Sequence, residues 1–179
     1  NCIIRGEGMC SPRVTAGTAA AFGGVSKRLE ELGVPCGCCS DGPSGMRLDC
    51  GTKAFSLPNG TLIAATFTKK LITELFEYLG MEMSANGVDC LLGPGMNIHR
   101  HPLNGRNFEY FSEDPYLTGT MASAELIGMH RHGVTGTIKH FCGNNQETNR
   151  HFLDTAVSER ALREIYLRCV YIPPMDKNR

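Results

Sequence analysis

Two short windows of this chain hold side chains suited to gripping a hydroxyl-rich ligand. The first runs Asn104-Gly105-Arg106-Asn107-Phe108-Glu109 and continues as Phe111-Ser112-Glu113-Asp114-Pro115. The second runs Ile138-Lys139-His140-Phe141, then Asn144-Asn145-Gln146-Glu147-Thr148-Asn149-Arg150. Guanidinium, ammonium, imidazole, carboxylate and amide groups crowd into these windows, and both follow short apolar runs that read as buried strands. Sugar hydroxyls are held by many charge-assisted hydrogen bonds rather than by one hydrophobic pocket.

Each of these groups also has a structural reading. Arg106 and Glu109 can form a buried ion pair bracing their loop, and for Glu109 that bracing role is the better one. Lys139 at a strand end is costly to bury without a partner, so a salt bridge is its simplest explanation, while the adjacent His140 favours a binding pair. His99 and His101 lack a matched third ligand and read as loop hydrogen-bonding groups rather than a metal site. Glu147 and Arg150 either line a site or brace it. Glu113 and Asp114, just before Pro115, fit the start of a helix, where negative charge is favoured.

The elements that would carry these windows alternate. Apolar residues Ala19, Phe22, Val25 and Leu29 recur at helical spacing, which predicts a helix over 15–32 ended by Gly33. Residues 34–40 read as a buried strand, ended by the turn-forming Asp41-Gly42-Pro43-Ser44-Gly45. A short strand is expected at 61–66. A helix is expected over 68–86, with Leu71, Leu75, Tyr78, Leu79 and Met83 as its stripe and Gly87 as its stop. Residues 88–92 form the next strand, and 93–113 a long loop of the kind that usually carries function. A helix follows over 115–132, then a strand over 134–140, and a last helix capped by Ser158. Strands alternating with helices mean β/α units on parallel strands, with site loops at the strands' C-terminal ends. Three or four units are present, about half of an eight-fold barrel.

The 179 residues suffice for one domain with a real core. Eighteen basic residues balance eighteen acidic ones, so the basic excess of a nucleic-acid-binding surface is missing. No apolar run nears the roughly 18–20 residues that span a bilayer, so no membrane partner is expected. The start, Asn1-Cys2-Ile3-Ile4-Arg5, lacks the regions of a signal peptide. Nine cysteines, an odd number at uneven spacing, read as reduced thiols, and the two features together give a cytoplasmic expectation. Cys36, Cys38 and Cys39 have no second ligand pair beside them, so they are read as strand-packing thiols and no metal is expected. No glycine-rich nucleotide loop follows the first strand, and no cofactor is expected.

Taken in order, Asp41-Gly42-Pro43-Ser44-Gly45-Met46-Arg47, Pro58-Asn59-Gly60-Thr61, Leu92-Gly93-Pro94-Gly95-Met96-Asn97-Ile98, the two windows above, and Val157-Ser158-Glu159-Arg160-Ala161-Leu162-Arg163-Glu164 closely resemble the glycoside hydrolase family 3 β-glucosidases. The resemblance covers residues 5–167. It implies an α/β fold, a partial (β/α)8 TIM-type barrel of about four β/α units with parallel strands. It implies hydrolysis of terminal β-D-glucosidic bonds with retention, on a β-glucoside or cello-oligosaccharide. It also implies that Asp41, Arg106, Lys139 and His140 bind the sugar.

The chain departs from that family in three ways. The family nucleophile lies in a Ser-Asp-Trp context, whereas this chain has no tryptophan and its single Ser-Asp, Ser40-Asp41, belongs to the first-strand motif. The family acid/base residue comes from a second domain. Residues 168–179 form an atypical tail, expected to be a frame change or cloning scar, and residues 5–12 resemble circularly permuted members. The chain therefore reads as a truncated barrel piece over 1–167. Its local carboxylates Asp41, Glu109, Glu147 and Asp154 are the candidates for any catalysis of its own, and the alternative is a catalytically incomplete sugar-binding or scaffold fragment. Open sheet edges and the apolar residues Val34, Leu91, Leu92 and Ile138 lead to an expected homo-oligomer.

Overall fold

In a computed structural model, residues 6–175 are described. The expectations placed on residues 1–5 and 176–179 lie outside them. The elements in chain order are β1 (Ala20–Gly23), α1 (Lys27–Glu31), β2 (Cys36–Asp41), α2 (Gly60–Ala65), α3 (Lys69–Ala85), β3 (Cys90–Leu92), a 3₁₀ turn (Asn107–Glu109), α4 (Pro115–His130) and β4 (Thr135–Gly136). A short α5 (Glu159–Ala161) then passes through a π-helical turn (Leu162–Tyr166) into α6 (Leu167–Met175). The sheet order is β1-β2-β3-β4. β2, β3 and β4 are parallel, with Cys39 opposite Cys90 and Leu91 opposite Gly136.

β1 runs antiparallel to β2, with Ala20 opposite Cys39 and Gly23 opposite Cys36. This corrects the helix expected over 15–32. The apolar spacing there was helical, but Gly23 takes a left-handed φ of 77°. The backbone folds back at that point, and the Gly24 amide donates to Pro35 O at 2.8 Å. Only Lys27–Glu31 is helical, capped by Ser26. The expected strand at 61–66 is instead α2, because Asn59 caps it by accepting from the Leu62 amide at 2.9 Å. The strand expected over 134–140 is regular only at Thr135–Gly136, and Lys139 rejoins it through a single parallel bridge to Gly95.

α3 and α4 formed where the spacing put them. The buried stripe of α3 is Ile72, Phe76, Leu79 and Met83, while Leu71 and Tyr78 are exposed. Two apolar stripes lie side by side on this helix, and contact with α4 selects between them. Asp114 caps α4 by accepting from the Leu117 amide at 2.7 Å, with Pro115 in the first turn. α4 is buried along most of its length, because α3 packs on one side and α6 on another. Gly128 abuts α3, and Gly119 abuts Ile172 of α6. Residues 168–175, assigned to the atypical tail, thus extend a packed helix in which Cys169 is buried.

Asp89 ties three strands together. Its carboxylate accepts from the Cys38 amide at 2.7 Å, its amide donates to Cys38 O at 3.0 Å, and its carbonyl accepts from the Thr135 amide at 2.9 Å. The cysteines of β2 divide between environments: Cys38 is buried, Cys36 exposed and Cys39 in between.

The α3–α4 contact gives a direct test. A Cβ at Gly128 would sit 2.5 Å from Thr73 O and 2.9 Å from the Glu77 amide nitrogen, both backbone atoms that cannot swing aside. Gly128→Val is expected to lower stability by about 1–3 kcal/mol through overpacking, measured by urea unfolding. An unchanged midpoint would show that the helices are not in this contact.

Candidate functional site

Three loops leave the C-terminal ends of β2, β3 and β4 and meet in one pocket of about 610 Å³. Asp41 is the last residue of β2. The chain turns back at once: Gly42 has φ 121°, and the Arg47 amide donates to Asp41 O at 2.8 Å. A Cβ on Gly42 would meet Gly45 O at 1.9 Å, so this turn requires glycine. Beyond β3, the chain bridges to the segment after β4. The Lys139 amide donates to Pro94 O at 3.0 Å, and the Met96 amide donates to Lys139 O at 2.7 Å. The peptides Gly93–Pro94 and Lys139–His140 are both cis.

The third contributor is the 3₁₀ turn that places Glu109. Its carbonyl region lies against Gly95, where a Cβ would come within 2.4 Å of Glu109 O, and against Gly60, where the distance would be 3.0 Å. Both glycines let the backbone of the long loop seat deeply. Glu109 is 2% exposed. One of its oxygens pairs with Arg106 Nε, and the other lies 3.5 Å from Lys139 Nζ. Lys139 Nζ also donates to Asp41 Oδ1 at 3.1 Å, and Arg47 lies 3.8 Å from the other Asp41 oxygen. The result is a chain of alternating charge: Arg106, Glu109, Lys139, Asp41, Arg47.

Charge order sets the ionisation of Asp41. Partial burial opposes its charge, but Lys139, the Gly42 amide and Arg47 outweigh that and hold the carboxyl below its ordinary value of 3.8. Its contribution to stability is therefore full above the unfolded-state value and is lost as pH falls through the depressed folded value.

Asp41, Arg106 and Lys139 line the pocket together, with Glu109 and Glu147 also on its wall. Phe108, 61% exposed, adds an apolar surface there. Glu147 pairs with Arg150 at 3.1 Å. His140 lines an adjoining cavity of about 310 Å³ that shares Arg106 and Arg150 with the first. Its amide donates to Asn97 Oδ1 at 2.7 Å, and its Nδ1 lies 2.9 Å from the Tyr110 hydroxyl. Asp154 is exposed and is not among the residues lining the pocket. His99 and His101 make loop hydrogen bonds, to Asn107 O and from the Leu103 amide. Among the described residues, no three His, Cys, Asp or Glu side chains are grouped to hold a metal, and no helix is long and apolar enough to cross a membrane.

Three residues of the site were not singled out in the sequence: Arg47, Asn97 and Tyr110. Arg47 had a signal, since a cation six residues after Asp41, beyond a Gly-Pro turn, folds back on it. Tyr110 and Asn97 gave none, because each acts through a partner distant in sequence.

Replacing Lys139 tests the charge order. In Lys139→Met, burial acts on Asp41 with only Gly42 and Arg47 opposing it, so its titration midpoint should rise. Carboxyl ¹³C shifts followed against pH would read this, and an unmoved midpoint would remove Lys139 from contact with Asp41.

Comparison with known proteins places this geometry. Residues 2–173 match the glycosyl hydrolase family 3 N terminal domain. A β-glucosidase of Ruminococcus albus is 83% identical over 168 residues, which are 94% of this chain and 18% of that protein. The crystal structure of a β-glucosidase from Paenibacillus barengoltzii superposes with a TM-score of 0.94 at 58% identity, over 96% of this chain and 18% of that one. β-Glucosidase 3B from Thermotoga neapolitana, solved in complex with α-D-glucose, gives a TM-score of 0.83 at 44% identity over 89% of this chain and 23% of that one. The chain spans about a fifth of the length of these relatives. The mostly parallel sheet is a partial barrel of the TIM type, and the chain belongs to glycosyl hydrolase family 3, as part of that family's N-terminal domain.

Proposed function

We propose that this chain supplies the sugar-gripping wall of a β-glucosidase site, holding the terminal glucosyl unit of a β-glucoside or cello-oligosaccharide. The observation that carries this reading is the meeting of Asp41, Arg106 and Lys139 in one pocket at the strand C-termini, in a chain similar to β-glucosidases. A carboxylate kept ionised, as Asp41 is, accepts hydrogens from two neighbouring hydroxyls. Arg106 and Lys139 donate to ring hydroxyls, and Phe108 offers a face for the sugar's C–H groups. Contacts of this kind to the 2-hydroxyl strengthen as positive charge develops at the anomeric carbon.

Hydrolysis with retention needs two carboxyl groups about 5–5.5 Å apart, one nucleophilic and one protonated. The three carboxylates that line the pocket are otherwise engaged, and Asp154 does not line it. Asp41 is held by Lys139 and Arg47, Glu109 by Arg106 and Lys139, and Glu147 by Arg150. Asp41, whose carboxyl is held below its ordinary value, is a poor proton donor at neutral pH, and the other two are tied up in ion pairs. This favours a second reading for the chain taken alone, namely that it binds sugar without cleaving it.

Two measurements on the purified chain separate the readings. Glucose titrated by NMR is expected to shift resonances of the Asp41, Arg106 and Lys139 loops. Asp41→Ala should weaken this binding at least about ten-fold, from loss of charge-assisted hydrogen bonds worth about 1.5–3 kcal/mol each. An aryl β-glucoside should remain uncleaved by either form. Turnover by the wild-type chain would show that a local carboxylate pair is catalytic, and binding undiminished by Asp41→Ala would take that residue out of the sugar site.

A further inference from the structure

Tyr110 is wholly buried, and its hydroxyl is the junction of two loops. The Asn144 side-chain amide donates to it from 2.9 Å, and His140 Nδ1 lies 2.9 Å away on another side. The two rings also meet edge to face, with centroids 6.1 Å apart and planes at 74°. The backbone on either side of His140 is held as well, by Asn97 at its amide and by the Lys139–Met96 bridge before it. The imidazole is therefore fixed in place, and the remaining variable is which nitrogen carries its proton.

Proton counting decides this. A phenol has one hydrogen, and Asn144 already fills an acceptor position on its oxygen. His140 Nδ1 is the other hydrogen-bond partner of that hydroxyl among the described residues, so a Tyr110 proton that is to be used goes to it, and Nδ1 then carries no hydrogen of its own. The ring proton is left on Nε2. We propose that Tyr110 is a positioning residue that locks His140 in the Nε2–H tautomer, so that the cavity adjoining the Asp41 pocket is offered a fixed hydrogen-bond donor. The inference deepens the sugar-site reading and rests on it for the role of the donor, though not for the tautomer itself. A ring locked this way favours a ligand atom that can accept, such as a hydroxyl oxygen. It disfavours a ligand presenting a cationic N–H at the same place, which would face donor against donor.

The surrounding charges fit a neutral ring. Burial lowers the imidazole's proton affinity, and Arg106 and Lys139 lower it further, against opposing pulls from Glu109 and Glu147. His140 is consequently neutral at pH 7. Tyr110 is itself pushed up to about 12, mainly by burial, so its hydroxyl keeps the proton it donates.

The test is a long-range ¹H–¹⁵N spectrum of the whole chain labelled at histidine, recorded at pH 7. His140→Asn identifies the resonances of this ring. The expected pattern is a protonated Nε2 and an unprotonated Nδ1. In Tyr110→Phe, Nδ1 loses its donor and the Nδ1–H form should become visible as a second population, raising its share several-fold. A wild-type ring carrying its proton on Nδ1 would overturn the proposal. So would an imidazolium at pH 7, or a tautomer ratio unmoved by Tyr110→Phe. If Tyr110→Phe does not fold, Asn144→Ala, which frees the phenol to turn its proton elsewhere, should loosen the same ratio. Failure of glucose to bind would remove the sugar-site reading and leave the tautomer result standing.

Discussion

A carboxylate cut off from water needs cations or hydrogen-bond donors beside it, and Glu109 has two cations. Removing a charge from water costs several kcal/mol, which well-placed partners return. Arg106 reaches Glu109 from its own loop and Lys139 from the far side of β4. The same Lys139 ammonium then holds Asp41 at the end of β2. One buried negative charge thus ties loops from three strands and fixes where two cations and a second carboxylate point. Without it, Arg106 and Lys139 would repel each other across the pocket, and Lys139 would keep Asp41 alone as its carboxylate partner.

The frame serves that charge. Gly95 and Gly60 let the Glu109 turn sink against the sheet. The return of the backbone at Gly42 brings Arg47 back to Asp41. Beneath the loops, α4 lies between α3 and α6, with Gly128 and Gly119 at the two close approaches. The helical layer therefore anchors the strands from outside while the loops gather at their C-terminal ends, as in other β/α folds. The pocket's polarity follows from the same economy. Its charged groups are already paired with one another, so a neutral hydroxylated ligand can share their hydrogen bonds without having to neutralise a charge.

The parts of this arrangement governed by local spacing were readable in the sequence. α3 and α4 have long apolar periods, an Asp114 cap and a Gly87 stop. The Glu109–Arg106 brace follows from a Glu three residues beyond an Arg in a loop. Residues 15–32 misled because helical spacing of Ala19, Phe22, Val25 and Leu29 coincided with a strand. Pairing with β2, a tertiary contact, overrode local preference, and Phe22 lies over Gly37 instead of in a helix face. At 61–66 a short strand was expected, but the Asn59 cap decided for helix. The partition of α3 into buried Ile72 and exposed Leu71 was equally out of reach, since only the neighbouring helix distinguishes them. In the site, the ordered motifs carried Asp41, Arg106, Lys139 and His140, whereas the Tyr110–His140 and Asn97–His140 contacts span 30 and 43 residues and leave no periodic trace.

Glu109 is where the structural and catalytic readings of the pocket divide, and a crystal of this chain soaked with glucose separates them most directly. The expected result is a sugar ring whose hydroxyls meet Asp41, Arg106 and Lys139, with the Glu109 carboxylate still paired to Arg106 and Lys139 and apart from the anomeric carbon. A sugar bound away from these three residues, or a Glu109 carboxylate released from Arg106 and turned onto the anomeric carbon, would contradict it.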